Sequence, residues 1–371
     1  MGRLASAALV GLVAALAAAG CGTQRYAAGT ATSPRVGTES APIDAALVTP
    51  SFGWVLAPDR LLVTRDGGAT LTDAKVPLPA GWARAAYFHD AAHGVVAAAD
   101  GRNVVLGRTN DGGVTWIMST LTDAASWPTL RYSALRIAFG DTGHGVIMAK
   151  TATSPNFSRG TLFATTDGGG SWSARPAPVA GQVVVEPGGR TWLAGGVAHD
   201  QLYTSSDAGR HWMRSRIQPA SGNGTVTVAP PMSGKLPVTV ASGGTTQVGL
   251  FTTADNGRTW HESSRVAVHG KTGARVNVPV TRTDTGPLVI DTAGGHAYRF
   301  AAGHADIRPS GLPEGVYTAG FTGDGRNGWA LATYGRCAHG KQACSLFHVL
   351  TATADSGATW KRIRLWTEAI G

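Results

Sequence analysis

The sequence predicts an all-β fold, a single seven-bladed β-propeller of four-stranded antiparallel blades with one degenerate blade. Three observations predict it. An eight-residue phrase recurs along the chain. Its copies are spaced by about one propeller blade, and the residues between copies read as short β runs with no long stretch of helical period.

The phrase is Ser/Thr-x-Asp-x-Gly-x-x-Trp. It reads TNDGGVTW at Thr109–Trp116, TTDGGGSW at Thr165–Trp172, SSDAGRHW at Ser205–Trp212, TADNGRTW at Thr253–Trp260 and TADSGATW at Thr353–Trp360. A worn copy, TRDGGATL, occupies Thr64–Leu71. Aspartate opening a tight turn accepts hydrogen bonds from the backbone amides that follow it. The glycine supplies positive φ without steric cost. The tryptophan starts the outgoing strand and buries a large ring between neighbouring sheets. Each phrase follows an apolar β run, so each is a hairpin turn. Similar carboxylates at Asp66, Asp111, Asp167, Asp207, Asp255 and Asp355, in similar turns, express an architectural rule and not an active site.

These aspartates are 45, 56, 40, 48 and 100 residues apart. The last interval holds two units, and Pro287–His304 keeps strands but has lost the Asp and Trp. Seven units result, close to the ~40–50 residues of a four-stranded blade. FHDAAHGVV at Phe88–Val96, FGDTGHGVI at Phe139–Ile147 and the looser FTGDGRNGWA at Phe321–Ala330 read as hairpins between first and second strands. His89, His93 and His144 in these turns read as structural. Residues 43–371 form the propeller domain at 47 residues per blade. The sequence leaves open whether the first strand belongs to the first blade or completes the seventh.

The repeated phrase resembles the Asp-box, or BNR repeat, of the sialidase superfamily, the sortilin-like receptors, the xyloglucanases and the photosystem II assembly-factor family. The resemblance covers most of residues 43–371 through the repeats. Its single-propeller branch implies a non-catalytic, membrane-tethered scaffold that binds a protein partner.

Residues 1–20 read as an export signal. A short positive start precedes the apolar Leu4–Ala17, which is too short for a stable membrane anchor, and the segment ends in small residues before Cys21. This resembles a bacterial lipoprotein signal, which implies lipidation of Cys21, with Ala18 where leucine is usual. An ordinary secretory signal and N-myristoylation are the alternatives. Residues 21–42 are small, polar and unpatterned, and read as a flexible tether. The expected location is extracytoplasmic, lipid-anchored to the bacterial cell membrane. In that compartment Cys337 and Cys344 are expected to form a disulfide, and a metal site using them with His339 is the alternative. No cofactor and no metal are expected.

The net charge of +9 favours anionic partners. In a propeller the hairpins joining strands one to two and three to four share one end. The remaining connections share the other. The second end collects Arg60, Trp82, Arg84, Arg102, Trp127, Arg131, Arg159, Arg275 and Arg336, with few acids. Arginine with tryptophan is the chemistry of binding hot spots. The expected partner is an envelope protein or an anionic cell-wall polymer, bound by a monomer, with no role for nucleic acid. Solvated loop charge is the plainer reading of the same residues.

A sialidase-like enzyme is the alternative function. Its Arg-Ile-Pro phrase is matched only by Arg136-Ile137-Ala138, in mid-chain. Glu186, Glu262, Glu314 and Glu368 fall in no Tyr–Glu constellation, and no pair of carboxylates stands out as acid and nucleophile. The residues therefore favour a non-catalytic propeller that binds a protein or anionic partner, with a carbohydrate-binding or glycoside-hydrolysing propeller as the alternative.

Overall fold

The computed structural model describes residues 40–123, 131–152, 158–217, 224–229, 238–242, 247–267, 280–284, 286–291, 296–299, 305–307, 309–337 and 344–370. Cys21, Trp127, Arg275 and His339 lie outside the described residues, as do the signal and nearly all of the tether.

Among the described residues the regular elements are strands, arranged in seven four-stranded antiparallel sheets. The first sheet is β1 (Asp44–Leu47), β2 (Gly53–Leu56), β3 (Leu61–Thr64) and β4 (Thr72–Asp73). The second is β5 (Arg84–Phe88), β6 (Gly94–Asp100), β7 (Asn103–Thr109) and β8 (Ile117–Thr122). The third is β9 (Tyr132–Phe139), β10 (Gly145–Thr151), β11 (Gly160–Thr165) and β12 (Ser173–Ala177). The fourth is β13 (Gly181–Val185), β14 (Thr191–Gly195), β15 (Gln201–Ser205) and β16 (Met213–Ser215). The fifth is β17 (Gly224–Val228), β18 (Val238–Ser242), β19 (Gln247–Thr252) and β20 (His261–Ala267). The sixth is β21 (Val280–Thr283), β22 (Gly286–Asp291), β23 (His296–Arg299) and β24 (Ala305–Ile307). The seventh is β25 (Val316–Phe321), β26 (Gly328–Cys337), β27 (Cys344–Thr353) and β28 (Lys361–Ile370). In each sheet the strands pair in chain order. The fold is a β-propeller. The sixth sheet contains the run that has lost the repeated phrase.

Burial explains the sequence pattern. The middle strands β2, β3, β10 and β14 are covered on both faces and read as continuous apolar runs. The outermost β8 is exposed along most of its length and mixes apolar with polar residues, Ile-Met-Ser-Thr-Leu-Thr. The buried apolar side chains group between neighbouring sheets. Phe52, Trp54 and Leu56 of the first pack on Phe88 and Val96 of the second. Val95, Ala97 and Leu106 of the second pack on Leu135, Ile147 and Phe163 of the third. No sheet could bury both faces alone, so each depends on its neighbours. The shared Phe and Gly of the first hairpin have one cause. The Phe88 ring lies over Gly94, and the Phe139 ring over Gly145, where any Cβ would collide with it.

The repeated turn is a small hydrogen-bonded knot. In the second sheet Thr109 Oγ1 donates to Asp111 Oδ1 at 2.7 Å and accepts from the Gly113 amide at 2.9 Å. Asp111 also accepts from the Thr115 amide at 2.9 Å and the Thr115 hydroxyl at 2.6 Å. The same pattern recurs around Asp66, Asp167, Asp207, Asp255 and Asp355. Two consecutive residues after the aspartate take positive φ, Gly112 and Gly113 here, and Asn256 and Gly257 in the fifth sheet. Where a side chain is present at the first of these, as at Ala208, Asn256 or Ser356, a left-handed backbone is being tolerated. The turn tryptophans reach back to the preceding sheet. Trp116 Nε1 donates to Ala74 O at 3.1 Å, and Trp260 Nε1 to Ser215 Oγ at 2.7 Å. Trp172, Trp212 and Trp360 likewise pack in clusters shared with the sheet before them.

The first strand belongs to the first sheet. β1 pairs with β2, and all four strands of the seventh sheet come from residues 316–370. First and last sheets meet through side chains instead. Ala45, Leu47, Val55 and Leu62 pack against Trp329, Leu331, Leu350 and Trp366. The body also takes in Ala41 and Pro42, both buried just ahead of the boundary the sequence suggests at residue 43.

Candidate functional site

The loop end opposite the repeated turns holds the described residues among those selected from sequence. Backbone hydrogen bonds bring several of them together. The Tyr132 amide donates to Gly101 O at 2.9 Å, which sets Arg131 beside the β6–β7 turn that carries Arg102. The Ala152 amide donates to Arg131 O at 2.6 Å, and the Thr151 amide to Arg159 O at 2.9 Å. Arg102, Arg131 and Arg159 are all exposed, and these bonds bring the loops that carry them together across the second and third sheets.

Trp82 is 67% exposed and precedes β5. The Gly81 amide next to it donates to Pro58 O at 2.7 Å, which places the Pro58–Asp59–Arg60 loop alongside. Arg60 is half-buried and bidentate to Asp59, with Nη2 to Oδ2 at 2.8 Å, so much of its charge is neutralised. Asp59 is held below the usual carboxylate range, chiefly by that bond. Arg336 is exposed at the end of β26 and lies over the Tyr334 ring at 5.6 Å.

Arg84 corrects the sequence reading. Only 4% exposed, it cannot present its charge to a partner. Its Nη1 donates to Ala57 O at 3.0 Å, tying the second sheet to the first, while Nε and Nη2 are buried without partners. Arg84 opens β5, and the packing of the first sheet against the second draws it inward.

Cys337 and Cys344 face one another as partners in the β26–β27 register. Among the described residues no group of three His, Cys, Asp or Glu side chains is arranged to hold a metal.

The opposite end carries a feature the sequence reading did not single out. A cavity of about 280 Å³ opens between the second and third sheets. Tyr87 and Phe139 form part of its wall, their rings stacked with centroids 5.1 Å apart. Asp90, Asp141 and Asp167 also line it. Asp90 accepts the amides of Ala92 and His93, each at 2.7 Å, and His93 Nδ1 lies 2.9 Å from its other oxygen. Asp141 repeats this arrangement with Gly143 and His144, and adds the Gly188 amide of the fourth sheet at 2.8 Å. Asp324 does the same in the seventh sheet, with Arg326 and Asn327. A second family of turn aspartates therefore accompanies the first. Its sequence signal was the Asp-x-x-His/Asn-Gly inside the hairpin phrase.

All these carboxyls are ionised at neutral pH. Burial pushes Asp90 upward, but the bonds from the His93 ring and the His93 and Ala92 amides outweigh it and hold the group at about 2. Asp167 is drawn down to about 2 chiefly by the Ser171 hydroxyl and amide. Burial opposes the fall of Asp141 as well, yet the Gly188 and His144 bonds carry it well below the carboxylate range. A hydrolytic pair needs one carboxyl kept protonated by its surroundings, and these three are pushed the other way. They serve as fixed acceptors.

No protein-family model matches the chain, and no curated protein matches it by sequence. Solved structures do. The extracellular domain of the B. thetaiotaomicron protein BT4673 superposes with a TM-score of 0.51 at 10% identity, over 91% of this chain and 47% of that one. YCF48 bound to D1 peptide gives 0.44 at 15% identity, over 87% and 82% of the two chains. The Hadza microbial sialidase Hz136 gives 0.43 at 14% identity, over 88% and 74%. At 10% identity the likeness to the BT4673 domain is one of fold.

Proposed function

We propose that this protein is an exported, membrane-tethered, non-catalytic propeller of seven blades that binds a protein partner or an anionic envelope polymer. The loop end opposite the repeated turns is the binding surface. The observation that carries this reading is that backbone hydrogen bonds bring together the loops bearing the exposed Arg102, Arg131 and Arg159, on the same end as the exposed Trp82. Arginines spaced along a surface select anionic partners and speed their encounter, and an exposed tryptophan supplies the apolar anchor. Lipid on Cys21, with residues 22–39 as tether, would hold this surface near the membrane. A Cys337–Cys344 disulfide, supported by their facing positions, would brace the long β26–β27 hairpin beside Arg336.

The test is photo-crosslinking in cells from position 82, with position 187 on the opposite end as control. One recurring envelope protein or acidic polymer at position 82, absent at 187 and lost on Arg131→Glu, is the expected result. Equal capture at both positions would refute the surface assignment. Capture of neutral glycan alone would move the protein to the carbohydrate-binding reading.

A further inference from the structure

We propose that the cavity between the second and third sheets, at the end carrying the repeated turns, binds the arginine side chain of a peptide. The chain itself supplies the template one step earlier in the repeat. Arg65 stands between Thr64 and Asp66 in the first turn. It reaches across to the second turn and donates from Nη2 to Gly112 O at 2.9 Å. The corresponding residue of the second turn is Asn110, and the residue of the third turn that corresponds to Gly112 is Gly168. Both line the cavity. Asparagine is shorter and uncharged. Position 110 therefore sends no guanidinium across to the next turn as Arg65 does, and the cavity opens beside it, with Arg108 in its wall.

The walls suit the missing group. Asp90, Asp141 and Asp167 are ionised and held in place by their own turns. The stacked Tyr87 and Phe139 offer aromatic surface, on which a guanidinium packs well. The basic side chains of the wall are Arg108, His89 and His93, the last already hydrogen-bonded to Asp90, so three carboxylates face one guanidinium and two imidazoles. The chain as a whole is strongly basic, so this anionic hollow is a local reversal of its field. The planar fork of arginine fits a carbonyl and a carboxylate at once, whereas lysine offers a point charge. The site is on the opposite end from the exposed loop arginines and does not depend on them.

The test is a titration of the full-length protein with acetyl-Gly-Arg-Gly-amide, followed by NMR or calorimetry. The same peptide carrying citrulline, neutral and nearly isosteric, is the comparison. The arginine peptide is expected to bind at least about tenfold more tightly, the scale of a charge-assisted hydrogen bond. Asn110→Arg should fill the groove from within, as Arg65 does, and weaken peptide binding by about tenfold or more at an unchanged melting temperature. Thr72→Ala, on the exposed strand β4 and outside the cavity lining, should leave binding intact, and the unchanged melting temperature of Asn110→Arg guards against a folding artefact. No saturable binding, equal binding of the citrulline peptide, or an Asn110→Arg protein that binds like the parent would each overturn the proposal. Preference for acetyl-Gly-Glu-Gly-amide would overturn it too, and would assign the cavity to anions through Arg108.

Discussion

The hydroxyl of Tyr317 on β25 donates to the carbonyl of Pro42, just ahead of β1, at 2.9 Å. The bond ties the last sheet to the entry of the first, where no strand pairing joins them. Tyr317→Phe keeps the ring and removes the bond. A loss of about 1 kcal/mol is expected, because Pro42 O is then left without this donor. Urea unfolding should show a lower midpoint at an unchanged slope.

Packing at the same seam is worth more. Trp329 is 1% exposed and lies among Ala45, Leu47 and Leu331. Trp329→Ala is expected to cost about 3–5 kcal/mol, through lost burial and the cavity left behind. Trp82→Ala, at an exposed position, should fall within about 0.5 kcal/mol of the parent. Parallel denaturation of the two variants measures the contrast. Equal losses would mean that the seam is not where the first and last sheets are held.

The turn aspartates set the acid limit. Asp66 is drawn to about 2 by the amide and hydroxyl of Thr70 and the hydroxyl of Thr64. Asp255 is drawn to about 2, chiefly by the Thr259 hydroxyl and amide. Their unfolded value is near 3.8. A folded carboxyl depressed below its unfolded value stabilises fully above the unfolded pKa, and that stability fades as pH falls toward the folded one. The melting temperature should therefore be level above about pH 5 and drop between about pH 4 and 2. Circular dichroism melts across that range give the curve. A flat profile would show that the turns contribute no net stability through their charge.

Arg84 separates structure from binding. Its guanidinium is buried with two nitrogens unpartnered, and replacing a buried charge by an apolar side chain of similar length is often neutral or stabilising. Arg84→Met should unfold at the same or a higher temperature and leave partner capture from position 82 intact. Arg131→Glu should leave stability unchanged and reduce capture. Loss of capture in Arg84→Met with stability retained would return Arg84 to the binding surface.

The propeller was legible in the sequence because its signal is short-ranged. Thr109, Asp111 and Thr115 bond to one another within seven residues, so the phrase survives wherever the turn does. The sixth sheet was found through spacing, since β22 and β23 outlast the turn they lead to. The burial of Arg84 was not legible. An arginine at the start of a strand reads as surface, and only the neighbouring sheet hides it. The groove at Asn110 was hidden for a related reason. Its meaning lies in the contrast with Arg65, a residue of another repeat, and in an acceptor that belongs to a third. Periodicity tells what each unit is, while the differences between units that make a site emerge only when the units stand next to each other.

Each sheet completes its own strand pairing, and the junction between first and last is made through side chains. The cyclic order of the sheets is fixed by their packing, but the boundary at which the ring is opened is nearly free. A circular permutant that joins the segment after β28 to Ser40 and opens the chain between β4 and β5 would leave all seven sets of strand pairs uncut. The same independence means that a boundary between sheets, unlike the interior of one, can be cut without breaking a strand pair.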